Sequence, residues 1–402
     1  MRILHVADTH LGHRRWNLPE REKDLYDVFD EVADIAIEEK VDLVLHAGDM
    51  FDKSDPPPQT YIRTYEILKK LRDKNIGFYV VAGNHEVPGT IKDSPLSFFE
   101  KIGLLKILSL RDVGREVLKD EYGRDLEIYG YSKKISRKFF EEKIPVKDRE
   151  TIRIALIHEL VCEPMRDYLG WTENMCRERE LPMLSSSPNI EYFSYIALGD
   201  LHIRWENKIR GSIAVYPGST EALNKGEAFD ENYNFIDRYV YIIDVLDKEI
   251  RYRPRRLTKT RPWIYIEAKD HRDAIMKIQS LSNKKFVKPP ILVIHILRRE
   301  GSLERERLIK ELNDLVDKNV IFKIDSISYA EEERPVSYSI KEGAEGFSLD
   351  KVLTEVFGDR EIAELIRDFI DEKIDERTLM NRLREDKDFL DKLHKIIRET
   401  RL

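Results

Sequence analysis

Cysteine and glutamine are nearly missing from this chain of 402 residues, which holds only Cys162, Cys176, Gln59 and Gln279. The two cysteines lack CxxC spacing, which argues against a thiolate zinc site and against a disulfide framework, and fits a reducing cytoplasm. No apolar run approaches the roughly 18–20 residues of a membrane span; the candidates are as short as 291–297 (ILVIHIL). The opening MRILHVADTH reads as a strand running into polar residues and not as a signal peptide. Neither sign of charge dominates, since 76 acidic and 69 basic residues leave a net charge of −7. Nothing therefore pulls the whole molecule toward nucleic acid, and DNA binding would need local basic patches. No G-x-x-x-x-G-K-[ST] stretch occurs, so the chain brings no P-loop ATPase of its own. Internal repeats and low-complexity tracts are missing too.

What is present is charge of both signs, 36% of all residues, against roughly 25% in a typical soluble domain. With so little cysteine and glutamine, this resembles heat adaptation, because ion-pair networks gain relative value at high temperature. Hydrophobic residues make up 41%, enough for packed cores.

Apolar strands at 2–7, 41–47 and 76–82 alternate with amphipathic helices at 20–39 and 58–74. This rhythm predicts a layered α/β domain with a largely parallel first sheet. Short strands within 105–131 and at 152–158, 193–199, 209–216 and 238–246 predict an antiparallel second sheet facing it. The segment 251–261 (RYRPRRLTKTR) reads as a basic linker. Strands 263–268, 291–297 and 319–328, with helices 271–281 and 303–316, predict a separate small α/β domain over 262–340. Apolar stripes at 348–357, 361–374 and 377–398 predict a helical tail over 348–402.

The chemistry lies where strands end. Strand 2–7 ends in Asp8-Thr9-His10, strand 41–47 in Gly48-Asp49, and strand 76–82 in Gly83-Asn84-His85-Glu86. Strand 152–157 ends in His158, and strand 193–198 in Gly199-Asp200-Leu201-His202. Ligands of open α/β sheets gather beyond the carboxyl ends of strands. Carboxylate and imidazole without thiolate suit manganese, iron or zinc at a hydrolytic site. Seven such ligands exceed the need of one ion and suit two. Asp49 is the candidate bridge, and His85, beside a ligand, is the candidate acid for a departing oxygen. His5 and His46 lie inside apolar strands and read as core residues; His271, His295 and His394 lie outside the domain. His13, in the sequence His-Arg-Arg-Trp, fits either a substrate groove or an ordinary surface loop.

Asp-x-His, Gly-Asp, Gly-Asn-His-Glu, a lone His and Gly-x-x-His, in this order, resemble the calcineurin-like metallophosphoesterase superfamily. Within it, LHVADTHLG, REKDLYDVFDE, VLHAGDMFD, GNHE and YPGSTE resemble the archaeal DNA double-strand-break repair nuclease of the meiotic-recombination-eleven family, whose bacterial counterpart is SbcD. The resemblance spans essentially the full length.

It implies a layered α/β/β/α metallophosphoesterase sandwich over 1–250, a small α/β capping, DNA-binding domain over 262–340, and a C-terminal helical tail over 348–402 that docks an SMC-like coiled-coil ATPase. It implies two Mn²⁺ ions, one held by Asp8, His10, Asp49 and His202, the other by Asp49, Asn84, His158 and Asp200, with His85 as the catalytic histidine. It further implies 3′–5′ exonuclease action on duplex ends, endonuclease action on single strands, and a homodimer formed near helix 94–105. The expected location is the cytoplasm, at the nucleoid. Two departures stand out: Asp200 where the family usually carries histidine, and Asp52 near another such position. The basic linker and Lys284, Lys285 and Lys288 are candidate DNA contacts. A phosphoesterase acting on another phosphorylated substrate, or a DNA-end tethering scaffold, are the alternatives.

Overall fold

The computed structural model describes residues 1–87, 94–119, 122–145, 151–246, 249–298 and 302–329. Its first part runs β1 (Arg2–Val6), α1 (Pro19–Glu38), β2 (Leu43–His46), α2 (Pro58–Arg72), β3 (Gly77–Val81), α3 (Pro95–Lys101) and β4 (Lys106–Ser109). There follow β5 (Gly114–Lys119), β6 (Asp125–Tyr131), α4 (Arg137–Glu141), β7 (Ile152–His158), α5 (Cys162–Leu169), α6 (Glu173–Glu178), β8 (Tyr195–Gly199), β9 (Trp205–Ile209) and β10 (Ser212–Tyr216). The remainder is α7 (Lys225–Ala228), β11 (Tyr239–Val245), β12 (Ile250–Arg256), β13 (Trp263–Ala268), α8 (His271–Gln279), β14 (Ile291–Ile296), α9 (Ser302–Asp317) and β15 (Lys323–Tyr329).

Two six-stranded sheets stack face to face, in the orders β12-β11-β1-β2-β3-β4 and β5-β6-β7-β8-β10-β9. Ile3, Leu45 and Val81 of the first meet Ile154, Leu156 and Ala197 of the second in one buried cluster. On the outer side of the first sheet, Leu25, Val28, Phe29 and Val32 of α1 pack with Leu68 of α2 onto Leu4, Val44 and Val80. Pro19 opens α1, and Glu20 and Glu22 sit in its first turn, where the helix dipole favours acidic groups. Phe139 and Val161 cover the outer side of the second sheet. This is the layered sandwich expected from the strand–helix rhythm.

Three expectations need correction. The second sheet is mixed: β6, β7, β8 and β10 pair in parallel and only its edges, β5 and β9, are antiparallel. The connections between these strands are long enough for crossovers, which apolar runs alone do not reveal.

Most of the basic segment 251–261 is not a linker. Residues 250–256 form β12, paired antiparallel with β11 at the sheet edge. Its charges are already matched, with Arg253 on Glu39 at 2.5 Å and Arg255 on Glu38 at 3.0 Å. Lys259 lies 3.4 Å from Asp34, and Arg261 2.6 Å from Asp24. Lys288, one of the three lysines offered as a DNA grip, is drawn inward to Asp24 and Asp27 at 2.9 and 3.1 Å.

Cys162 and Cys176 form a disulfide, with their Cα atoms 5.7 Å apart. Both are fully buried, because α5 begins and α6 is centred on this contact. Spacing rules for multi-cysteine frameworks do not speak to a single pair, and heat-adapted intracellular proteins are an exception to the rarity of disulfides.

The small parallel sheet β13-β14-β15 carries α8 and α9 on one face, with Ile278 and Leu312 against Ile266 and Ile294. It belongs to the same compact unit as the sandwich. Among the described residues no helix is long and apolar enough to cross a membrane. The tail 348–402, with His394, lies outside the described residues, as does the end of the small domain beyond 329.

Candidate metal centre

The carboxyl ends of β1, β2 and β3 in one sheet meet those of β7 and β8 in the other. Backbone bonds tie the loops together. Asp8 donates its N–H to Gly48 O at 3.1 Å, and His10 to Asp49 O at 3.1 Å. Asp200 N–H reaches both Asp8 oxygens, at 3.1 and 3.2 Å, and His85 N–H reaches Asp49 Oδ1 at 3.0 Å.

Two glycines make this approach possible. A Cβ on Gly48 would lie 2.3 Å from His158 Nδ1, and one on Gly83 2.1 Å from Asp49 Oδ1. Asp8, His10, Asp49 and Asp200 all adopt positive φ, at 53°, 42°, 51° and 96°. Left-handed backbone at a non-glycine residue costs on the order of 1–3 kcal/mol and gathers at functional sites.

Seven of the eight residues singled out from sequence fall into this one region. Donor atoms of Asp8, His10 and His202 lie within 4.8 Å of one another, and so do those of Asp8, Asp49 and His158. A third group joins His10, Asp52 and His85. His10 and His202 face each other through Nε2 at 3.1 Å. His158 Nε2 is 3.4 Å from Asp49 Oδ2 and 3.9 Å from Asp200 Oδ1. Asn84 is placed less tightly: it is exposed in the turn after β3, and its amide makes no hydrogen bond among the described residues.

The donors fit divalent cations. His10 Nδ1 and His158 Nε2 are buried without a hydrogen-bond partner, and such atoms are rare unless something unseen satisfies them. His158 Nδ1 donates to Ala47 O at 2.7 Å, which leaves the lone pair on Nε2, the usual arrangement of a metal-binding imidazole. Oxygen and imidazole nitrogen without sulfur is the donor set of hard to borderline dications.

The electrostatics agree. Burial pushes the Asp8 carboxyl up to about 7. Burial, with His202 beside it, pulls His10 down to about 3, so this imidazole is neutral. Burial also opposes the His158 imidazolium, but Asp49, Asp200 and Asp8 outweigh it and lift its pKa to about 10. A place that holds a proton so firmly is one of strongly negative potential, and a cation would be drawn there in the proton's stead.

Several supporting residues carried no assignment from sequence. Glu86 closes the Gly-Asn-His-Glu motif and is fully buried. It accepts N–H bonds from Asp49, Phe51 and Gly83 at 3.2, 2.7 and 2.7 Å, binding the β2 and β3 loops together. Glu227 of α7 lies 3.2 Å from His202 Nδ1. His13 is not an ordinary surface residue: its Nδ1 is 2.8 Å from Asp52 Oδ1. Asp52 in turn offers its backbone carbonyl to His85 Nδ1. The core histidines behave as expected, His5 on the Tyr195 hydroxyl and His46 on the Thr9 hydroxyl. Glu86 was visible in a motif; Glu227 had no local signal.

Two stacked sheets with carboxylates and imidazoles at their joined strand ends define a metallophosphoesterase, and a family model described as calcineurin-like phosphoesterase matches residues 1–182. The "DNA double-strand break repair protein Mre11" of Saccharolobus solfataricus is 29% identical over 367 residues, 88% of this chain and 89% of that protein. The protein of the same name from Methanocaldococcus jannaschii is 31% identical, over 71% of this chain and 75% of the relative. That from Sulfurisphaera tokodaii is 30% identical, over 78% and 77%. The chain belongs to the Mre11 family, and it is a metal-dependent phosphodiesterase.

Proposed function

We propose that this chain is the two-metal nuclease subunit of a DNA double-strand-break repair complex. The observation that carries the reading is the convergence of Asp8, His10, Asp49, His158, Asp200 and His202 from four strand ends onto one cluster. One manganese ion would be held by Asp8, His10, Asp49 and His202, the second by Asp49, Asn84, His158 and Asp200, with Asp49 between them. When bound, such a pair supplies Lewis acidity, lowering the pKa of water and neutralising charge on a phosphodiester.

The protein's own share is positioning and proton delivery. A carbonyl only accepts, so His85 Nδ1 donates to Asp52 O, and the imidazolium form alone carries a second proton, on Nε2, to give to the departing oxygen. That Nε2 lies 3.8 Å from Asp49 Oδ2, at the edge of the cluster. His85 is partly exposed, so a DNA strand can reach it.

The names of the relatives supply the substrate. The activities proposed are 3′–5′ exonuclease on duplex ends and endonuclease on single strands. The small domain over 262–340 is proposed to contact DNA, and the tail over 348–402 to dock an SMC-like ATPase. The exposed apolar side chains Ile62 and Tyr65 of α2, with Phe98 of α3 and Ile102 at its end, support a homodimer. Activity at the nucleoid, in the cytoplasm, follows from that substrate. The purified chain should degrade linear duplex DNA with Mn²⁺ and stop when a chelator is added; undiminished cleavage in excess chelator contradicts the reading.

A further inference from the structure

Lys133 brings an ammonium group into a site otherwise built to attract cations. It follows β6 and a single serine, and its N–H donates to Ala82 O at 3.0 Å, next to the Gly-Asn-His-Glu turn. Its Nζ lies 2.7 Å from Asp200 Oδ2 and 2.6 Å from Glu159 Oε1. Glu159 is the residue after His158, and its other oxygen accepts from the Ser136 hydroxyl at 2.6 Å. The chain Ser136–Glu159–Lys133–Asp200 therefore joins the ends of β6, β7 and β8. It terminates on Asp200 Oδ1, which faces His158 Nε2 at 3.9 Å.

The arrangement matters because Asp200 is the least secured of the acidic donors. Asp8 and Asp49 are almost wholly buried, whereas the Asp200 side chain is 17% exposed. A short carboxylate on a left-handed backbone has two equivalent oxygens and a free χ2. With Lys133 on Oδ2, only Oδ1 remains for a cation. The ammonium, shared with Glu159, also offsets part of the charge that Asp200 adds beside Asp8 and Asp49.

We propose that Lys133 is the positioning residue of the metal centre: it fixes Asp200 as a one-oxygen ligand of the second cation and compensates part of its charge. The proposal rests on the reading of Asp200 as a ligand. Hydrogen bonds from outside to a ligating group typically change metal affinity by about 10- to 100-fold when removed.

The test is Mn²⁺ titration of the full chain by calorimetry, with bound and free ion counted by electron paramagnetic resonance. Lys133→Met should weaken the weaker-bound of two ions by about 10- to 100-fold and leave the tighter one unchanged. Lys133→Arg, which keeps charge and donors, should retain both ions. In an Asp200→His background, where no second oxygen awaits Lys133, Lys133→Met should change neither affinity. If Lys133→Met leaves or strengthens both affinities in the native background, the proposal is overturned. An equal loss in both backgrounds overturns it too, since Lys133 would then act only through Glu159 and the fold. Where Lys133→Met fails to fold, Lys133→Gln, neutral but still able to donate to Glu159, carries the same comparison. Failure of the unaltered chain to bind two ions would instead contradict the metal-centre reading itself.

Discussion

His10 and His202, one after β1 and the other after β8, meet through their Nε2 atoms at 3.1 Å. Glu227, a carboxylate acceptor, lies 3.2 Å from His202 Nδ1, which puts the ring proton on that side and leaves Nε2 its lone pair. Against its burial, Glu227 raises the His202 pKa, while burial beside His202 keeps His10 neutral. Two ring nitrogens this close need a proton or a cation between them.

Glu227→Ala should therefore act on metal binding more than on chemistry. The Mn²⁺ concentration for half-maximal cleavage should rise by about 10- to 100-fold, with the rate at saturating Mn²⁺ near that of the unaltered protein. Metal-activation curves on linear duplex DNA check this; an unchanged midpoint removes Glu227 from the account.

His85→Ala should do the reverse. Loss of a general acid costs about 10²–10⁴ in rate, while both Mn²⁺ ions and duplex DNA should bind as before. Single-turnover cleavage, read beside a binding isotherm, separates the two. A variant that cleaves at the normal rate has no need of His85 as the acid.

The pH dependence of metal binding has a definite sign. Without metal, Asp49, Asp200 and Asp8 overcome the effect of burial and hold the His158 pKa at about 10, and burial holds Asp8 at about 7. Below pH 10 a cation must displace the His158 proton, and below pH 7 the Asp8 proton as well. Apparent Mn²⁺ affinity should fall as pH falls, by about tenfold per unit above pH 7 and more steeply below it. Calorimetry in buffers of different ionisation enthalpy should find about one proton released at pH 8 and more at pH 6. Affinity independent of pH over this range contradicts the assignment of His158.

The disulfide gives a prediction about stability alone. Replacing Cys162 and Cys176 together by serine should cost about 2–4 kcal/mol and lower the melting temperature, with cleavage at moderate temperature unchanged. Thermal melts with and without reductant check it; a reductant that leaves the melt unaltered argues against the bond in solution.

Much of the layout was legible because it is local. An apolar strand followed at once by Asp-x-His, Gly-Asp or Gly-Asn-His-Glu places the polar group at a sheet's rim whatever the rest of the chain does. Hence Asp8, Asp49 and His158 could be read as strand-end residues before they were seen together. What escaped depends on partners far away in sequence. Glu227 and Lys133 gain their meaning only from His202 and Asp200. The arginines of β12 look like a solvated linker until Glu38 and Glu39 of α1 are set beside them. The parallel centre of the second sheet depends on crossovers, and the pairing of Cys162 with Cys176 on how α5 and α6 fold against each other. Asn84 is the residue on which sequence and geometry meet least closely.

The most direct measurement is anomalous diffraction from crystals grown with Mn²⁺. Two peaks are predicted, about 3.5–4 Å apart, one among Asp8, His10, Asp49 and His202 and the other among Asp49, Asn84, His158 and Asp200. A single peak, or peaks seated on other residues, would contradict a paired-cation centre at this junction of the two sheets.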